Sequence, residues 1–218
     1  MSLPKGFKSG SVAAGLKSSG ALDLTIIQNI GPSKFATAVF TTNKVVAAPV
    51  IWSRQVIKGN EVSAVVLNSG GANACTGPRG FADTHKTAEL IGQKLEISSG
   101  EVVVCSTGLI GELLPMPKIK KGIEEIQLSA EGFEDSARAI MTTDSVPKMA
   151  SASKHGVSVS GIAKGAGMLA PALATMLSVV MTDAEVDADD AISAFERAVE
   201  LTYNRIDSDG CTSTNDTV

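Results

Sequence analysis

A lone lysine, a glycine-bearing turn and one hydroxyl among small apolar residues make Lys164 to Leu177 (KGAGMLAPALATML) the stretch best equipped for chemistry. From Gly165 to Met181 no side chain is charged, yet two glycines and a proline interrupt the run, which suits neither an unbroken helix nor an unbroken strand. Its candidate nucleophile is Thr175. A threonine hydroxyl is weak at neutral pH unless a base takes its proton, and the two histidines, His85 and His155, supply no Ser-His-Asp set. If the Thr175 hydroxyl attacks the Ala174 carbonyl and the ester is hydrolysed, Thr175 becomes a chain terminus. Its own α-amino group, with an unperturbed pKa of about 7.7–8.0, can then serve as the base. The small neighbours Ala172 and Ala174 leave that carbonyl approachable. On this residue alone, ordinary core packing of Thr175 is the stronger account.

Three other clusters could assist such a reaction. Ser106-Thr107-Gly108 follows a predicted strand, so the Gly108 amide and the Thr107 hydroxyl can converge on one oxygen, as a tetrahedral intermediate requires; the same triplet is also a common turn. Lys164 either snorkels to solvent or presents its ammonium to an anion such as a substrate carboxylate. Thr142-Thr143-Asp144 reads locally as the capped end of a helix. Asn68-Ser69-Gly70-Gly71-Ala72-Asn73 could offer backbone amides to an anion but lacks a phosphate-loop pattern, and Gly77-Pro78-Arg79-Gly80 reads as a turn.

These blocks, with Asp209-Gly210-Cys211-Thr212-Ser213-Thr214-Asn215-Asp216, together resemble the ornithine acetyltransferase family, the glutamate N-acetyltransferases of arginine biosynthesis. The resemblance covers essentially the whole chain. Ala166 stands where a serine is common and Cys211 where an aspartate is usual. The resemblance implies self-cleavage between Ala174 and Thr175, Thr175 as the acetyl-carrying nucleophile, Thr107 and Gly108 as the oxyanion hole, and Lys164 and Thr142 as substrate ligands, with Thr143 beside them. It implies acetyl transfer from N-acetylornithine to glutamate, with acetyl-CoA as a second donor in some members and no cofactor. It also implies an α-chain region over 1–174 and the start of a β-chain region over 175–218, and an assembly of two α and two β chains. The family is roughly twice as long, so the chain reads as a truncated precursor lacking some substrate ligands.

The elements that must position these groups show in the hydrophobic pattern. Leu22 to Ile27, Phe35 to Thr41, Val62 to Leu67 and Val102 to Cys105 read as strands. Phe81 to Leu95 repeats at helical spacing, with His85 half-buried on it, and two shorter amphipathic pieces follow at Ile119 to Leu128 and Glu131 to Met141. Met149 to Lys154 and Val157 to Ile162 flank His155-Gly156, a two-residue hairpin connection. A buried strand at Met176 to Thr182 precedes a helix opened by Asp187 and running to about Tyr203. Strands and helices alternate without a regular βαβ rhythm, which predicts an α/β, layered, mixed-sheet architecture; the family's fold agrees with it.

Composition narrows the function class. With 218 residues, 44% of them hydrophobic, the chain can bury a sizeable core. A net charge of -4, 6 Phe, 1 Trp and 1 Tyr disfavour nucleic-acid binding. The amino terminus lacks the layout of a secretory signal and the longest apolar run is too short for a membrane span, which predicts a cytoplasmic protein. Cys75, Cys105 and Cys211 are read as reduced packing residues, and no metal site is expected. Two rivals to the acyltransferase remain: an amide hydrolase or aminopeptidase of the same cleaved-nucleophile kind, and a non-catalytic fragment.

Overall fold

Every second residue of three neighbouring strands faces the same way, and both faces are apolar. In the computed structural model, which describes residues 1–170, 173 and 176–218, β1 (Phe7–Val12), β2 (Leu24–Asn29), β3 (Ala64–Gly71) and β4 (Val102–Leu109) form one sheet in that order. The first two pairings are antiparallel and β3–β4 is parallel. Leu24, Ile26, Ala64, Val66, Val102 and Val104 join a core with helices α2 (Gly77–Leu95) and α3 (Met116–Glu125). Ile27, Leu67, Val103 and Cys105 face the opposite way, onto α4 (Phe133–Ala139) and a second, antiparallel sheet. That sheet is β5 (Lys148–Lys154), β6 (Val157–Lys164) and β7 (Leu177–Thr182). A sheet covered on both faces needs near-continuous apolar runs, which is why β3 and β4 are the most legible strands.

The mixed α/β, two-sheet architecture agrees with the sequence expectation, and β3–α2–β4 is its one βαβ unit among the described residues. The hairpin at His155-Gly156 is present, with φ of 54° and 81° at the two positions. Helix α5 (Ala188–Leu201) opens as expected: Asp187 Oδ1 accepts the Asp189 amide at 2.9 Å.

Four expectations are corrected. Residues 35–41 form no strand; they make isolated bridges at Phe35 and Phe40, because their partner is the short carboxyl-terminal segment. Asn68 to Gly71 and Ser106 to Gly108 do not follow strands but complete β3 and β4, whose parallel pairing continues to Gly71 and Leu109. Gly77 to Gly80 is the first turn of α2 rather than a separate turn, since Pro78 is tolerated where no intrahelical donor is required. His85 is exposed rather than half-buried, and its ring lies 5.0 Å from that of Trp52. Strand β1 and helix α1 (Ala48–Val56) have no counterpart in the sequence reading.

Candidate active site

The parallel pair β3–β4 sets the first half of the site. Asn68 faces Ser106, Ser69 faces Thr107 and Gly70 faces Gly108, with a register shift at Gly70 and Gly71. Gly108 has a φ of +130°, and a Cβ placed there would lie 2.5 Å from both the Gly70 carbonyl carbon and the Gly71 nitrogen. Only glycine fits this close approach. The strand ends are fastened by side chains. Ser106 Oγ donates to Asn68 Oδ1 at 2.6 Å, and Asn68 Nδ2 donates to the Gly71 carbonyl at 3.0 Å. Asn215 Nδ2 donates to the carbonyls of Ala72 at 2.6 Å and Ser106 at 2.8 Å, tying both strand ends to the carboxyl-terminal segment. Gly108→Ala is therefore expected to part β3 from β4 and lower stability by at least about 2 kcal/mol, the scale of overpacking with backbone strain. Urea unfolding checks it, and a midpoint equal to wild type would contradict it.

Lys164, at the end of β6, supplies the second half. It does not snorkel: its side chain is 1% exposed, and Nζ donates to Thr107 Oγ at 2.6 Å. Because the Thr107 oxygen accepts from Lys164, its own proton is free to be donated elsewhere. Burial pulls the Lys164 ammonium down to about 8, against the opposing pull of Asp144 and Asp216. Asp144 then joins the Thr-Thr-Asp block to this strand. Its Oδ1 accepts the Gly165 amide at 2.8 Å and a hydrogen bond from Lys148, and its Oδ2 accepts the Thr142 amide at 3.2 Å. Burial pushes the Asp144 carboxyl up, but Lys148 and the Gly165 and Thr142 amides outweigh it and hold the group below the usual carboxylate range.

Thr107, Gly108, Lys164 and Thr142 are thus brought into one neighbourhood. Thr142 is exposed and Thr107 is 5% exposed. The expected capping role of the Thr-Thr-Asp block is also present, carried by Asp144.

Ala174 and Thr175 lie outside the described residues. The residues after them do not. The Met176 amide donates to Asp216 Oδ1 at 3.0 Å, and Met176 accepts the Thr217 amide at 2.9 Å through its carbonyl. Residues 213–218, expected as a turn leading to a strand, lie buried between residues 39–47 on one side and 176–178 on the other. Cys105 is buried beside this segment. Burial pushes its thiol up to about 12 against a hydrogen bond with Thr217, which leaves it unreactive at neutral pH.

Sequence reasoning did not assign Asp144, Asn215 or Asp216 a role. The available signal was their type: an aspartate and an asparagine inside short blocks of serine and threonine, where nothing in the pattern required a charge or an amide.

Comparisons with known proteins agree on one family. The ArgJ family profile matches residues 8–218. The arginine biosynthesis bifunctional protein ArgJ of Streptomyces coelicolor is 56% identical over 216 residues, covering 98% of this chain and 56% of that protein. The ArgJ of Mycobacterium tuberculosis is 52% identical over 225 residues, covering 99% of this chain and 56% of that protein. The chain spans about half the length of the curated relatives it matches. Ornithine acetyltransferase of M. tuberculosis, solved with ornithine, has a TM-score of 0.75 at 51% identity, over 80% of this chain and 94% of that one. The arginine biosynthesis bifunctional protein of Bacillus halodurans has a TM-score of 0.73 at 36% identity, over 81% and 95%.

Proposed function

The chain belongs to the ArgJ family, and on that premise we propose that it is the nucleophile-bearing part of a self-cleaving acyltransferase of arginine biosynthesis. Thr175 takes the acetyl group of N-acetylornithine as an ester and passes it to glutamate, in two half-reactions on one hydroxyl. Scission between Ala174 and Thr175 divides the sequence into an α region, 1–174, and a β region beginning at 175. The cleaved chains pair as two of each, and acetyl-CoA is a second possible donor. Thr107 and Gly108 hold the oxyanion, and Lys164 and Thr142 hold the amino-acid substrate.

The observation that carries this reading is the buried hydrogen bond from Lys164 to Thr107. It frees the Thr107 proton for a developing oxyanion and puts positive charge behind it, ten residues before the scissile bond. In a dry site such preorganised donors are worth far more than in water. The proportions of the matches lend support. Four-fifths of this chain covers 94% of the solved M. tuberculosis chain, whereas nearly all of it covers only 56% of the curated M. tuberculosis sequence. The solved chain is much shorter than the curated one, as the product of a cut polypeptide would be.

Product analysis tests the reaction class. With N-acetylornithine as donor, ornithine and N-acetylglutamate are expected in equal amounts and only when glutamate is supplied. Free acetate released at the same rate without glutamate would replace the transferase with a hydrolase.

A further inference from the structure

Self-cleavage, on which this inference rests, has a step without a base. The α-amino group of Thr175 exists only after the Ala174–Thr175 bond is broken, so it cannot take the hydroxyl proton while that bond is being broken. Lys164 is committed as a donor to Thr107. Asp216 is different. Its side chain is 0% exposed, Oδ1 accepts the amide of Met176, the residue after Thr175, and Oδ2 has no hydrogen-bond partner. A buried carboxylate oxygen left unpaired costs stability, and native structures rarely retain one without a use for it.

We propose that Asp216 is the proton acceptor of the cleavage step, its Oδ2 taking the Thr175 hydroxyl proton as Oγ bonds to the Ala174 carbonyl carbon. Asp216 then returns this proton to the Thr175 nitrogen as the carbon–nitrogen bond breaks. The products are an ester between Ala174 and the Thr175 hydroxyl and a free α-amino group, with Asp216 again a carboxylate. Water hydrolyses the ester to the Ala174 carboxylate and the Thr175 alcohol. Cleavage and acetyl transfer therefore use different bases, Asp216 first and the α-amino group afterwards.

The surroundings suit a base at neutral pH. Burial raises the Asp216 carboxyl to about 6, offset in part by the Met176 amide, the Thr41 and Ser213 hydroxyls and the Lys164 ammonium. Lys164, on β6, is the charged group facing it, with Asp144 and Lys148 acting on Lys164 from behind. The nearby Cys105 stays a thiol, because burial places its titration far above neutrality.

The test is a time course of precursor processing after cell-free synthesis, from pH 5 to 8, read on denaturing gels. The wild-type rate is expected to rise with pH and level off above about 6. Asp216→Asn, nearly isosteric, is expected to slow processing by about 100-fold or more and to lose that inflection, while Asp216→Glu keeps a measurable, pH-dependent rate. A wild-type rate independent of pH over this range would overturn the proposal even if Asp216→Asn failed to fold. So would processing of Asp216→Asn at the wild-type rate. Thr175→Ala run in parallel separates the two levels. If Thr175→Ala is still cut, the nucleophile assignment itself fails. If it stays whole while Asp216→Asn is cut normally, only the role of Asp216 fails.

Discussion

Thr175→Ala is expected to leave the polypeptide in one piece and to reduce acetyl transfer by at least about 1,000-fold, because one residue supplies both the attacking oxygen and, after scission, the amine that activates it. Substituting alanine removes the hydroxyl directly and the free α-amino group indirectly, since an uncut chain has no new terminus. Thr175→Ser separates the two losses. It keeps a hydroxyl and should still be processed, with transfer reduced rather than abolished. Transfer by an uncut Thr175→Ala protein at the wild-type rate would contradict the scheme.

Lys164→Met should have the next largest effect, and it should appear in two independent measurements. The first is rate. Without the ammonium behind it, Thr107 loses its donor and the oxyanion site its positive charge, a change of the size produced by deleting an oxyanion-hole group, about 100-fold or more. The second is the pH dependence of folding. Burial lowers the folded pKa of Lys164 to about 8 from an ordinary 10.5. An ammonium whose folded pKa is depressed opposes folding wherever both states are protonated, which is below about pH 8. Between about 8 and 10.5 the unfolded chain binds the extra proton, so stability from this group rises with pH across that window. The full gain is roughly 3 kcal/mol, on the scale of 1.36 kcal/mol per pKa unit. Measured against pH, wild-type unfolding free energy should therefore climb relative to Lys164→Met from pH 8 upward. Parallel curves would show that Lys164 is not held in a dry site.

Parts of this arrangement were visible in the sequence because local rules and tertiary packing agree there. His155-Gly156 needed positive φ at two positions and had residues that tolerate it. Asp187 capped the helix that its type foretold. Strands β3 and β4 were legible in their apolar halves and misread in their polar halves. Asn68 to Gly71 and Ser106 to Gly108 are held in the sheet by Asn215 and by each other, not by β propensity. Residues 35–41 had the composition of a strand, but the segment available to pair with them is only a few residues long. Strand β1, with the sequence FKSGSV, carries too few β-branched residues to announce itself.

The candidate site was legible to the same extent. Thr107, Gly108, Lys164 and Thr142 were named from blocks scattered over nearly sixty residues of sequence, and Asp144 is what draws the last two together. That aspartate and Asp216 act through single long-range hydrogen bonds. Such bonds leave no periodicity and no spacing to read, so only the folded chain reveals them.

Everything rests on scission at one bond, and the most direct measurement is the intact mass of the purified chain followed by amino-terminal sequencing of the smaller piece. Two fragments are expected, residues 1–174 and a piece whose first residue is Thr175. A single uncut polypeptide that transfers acetyl groups at a normal rate would contradict the account.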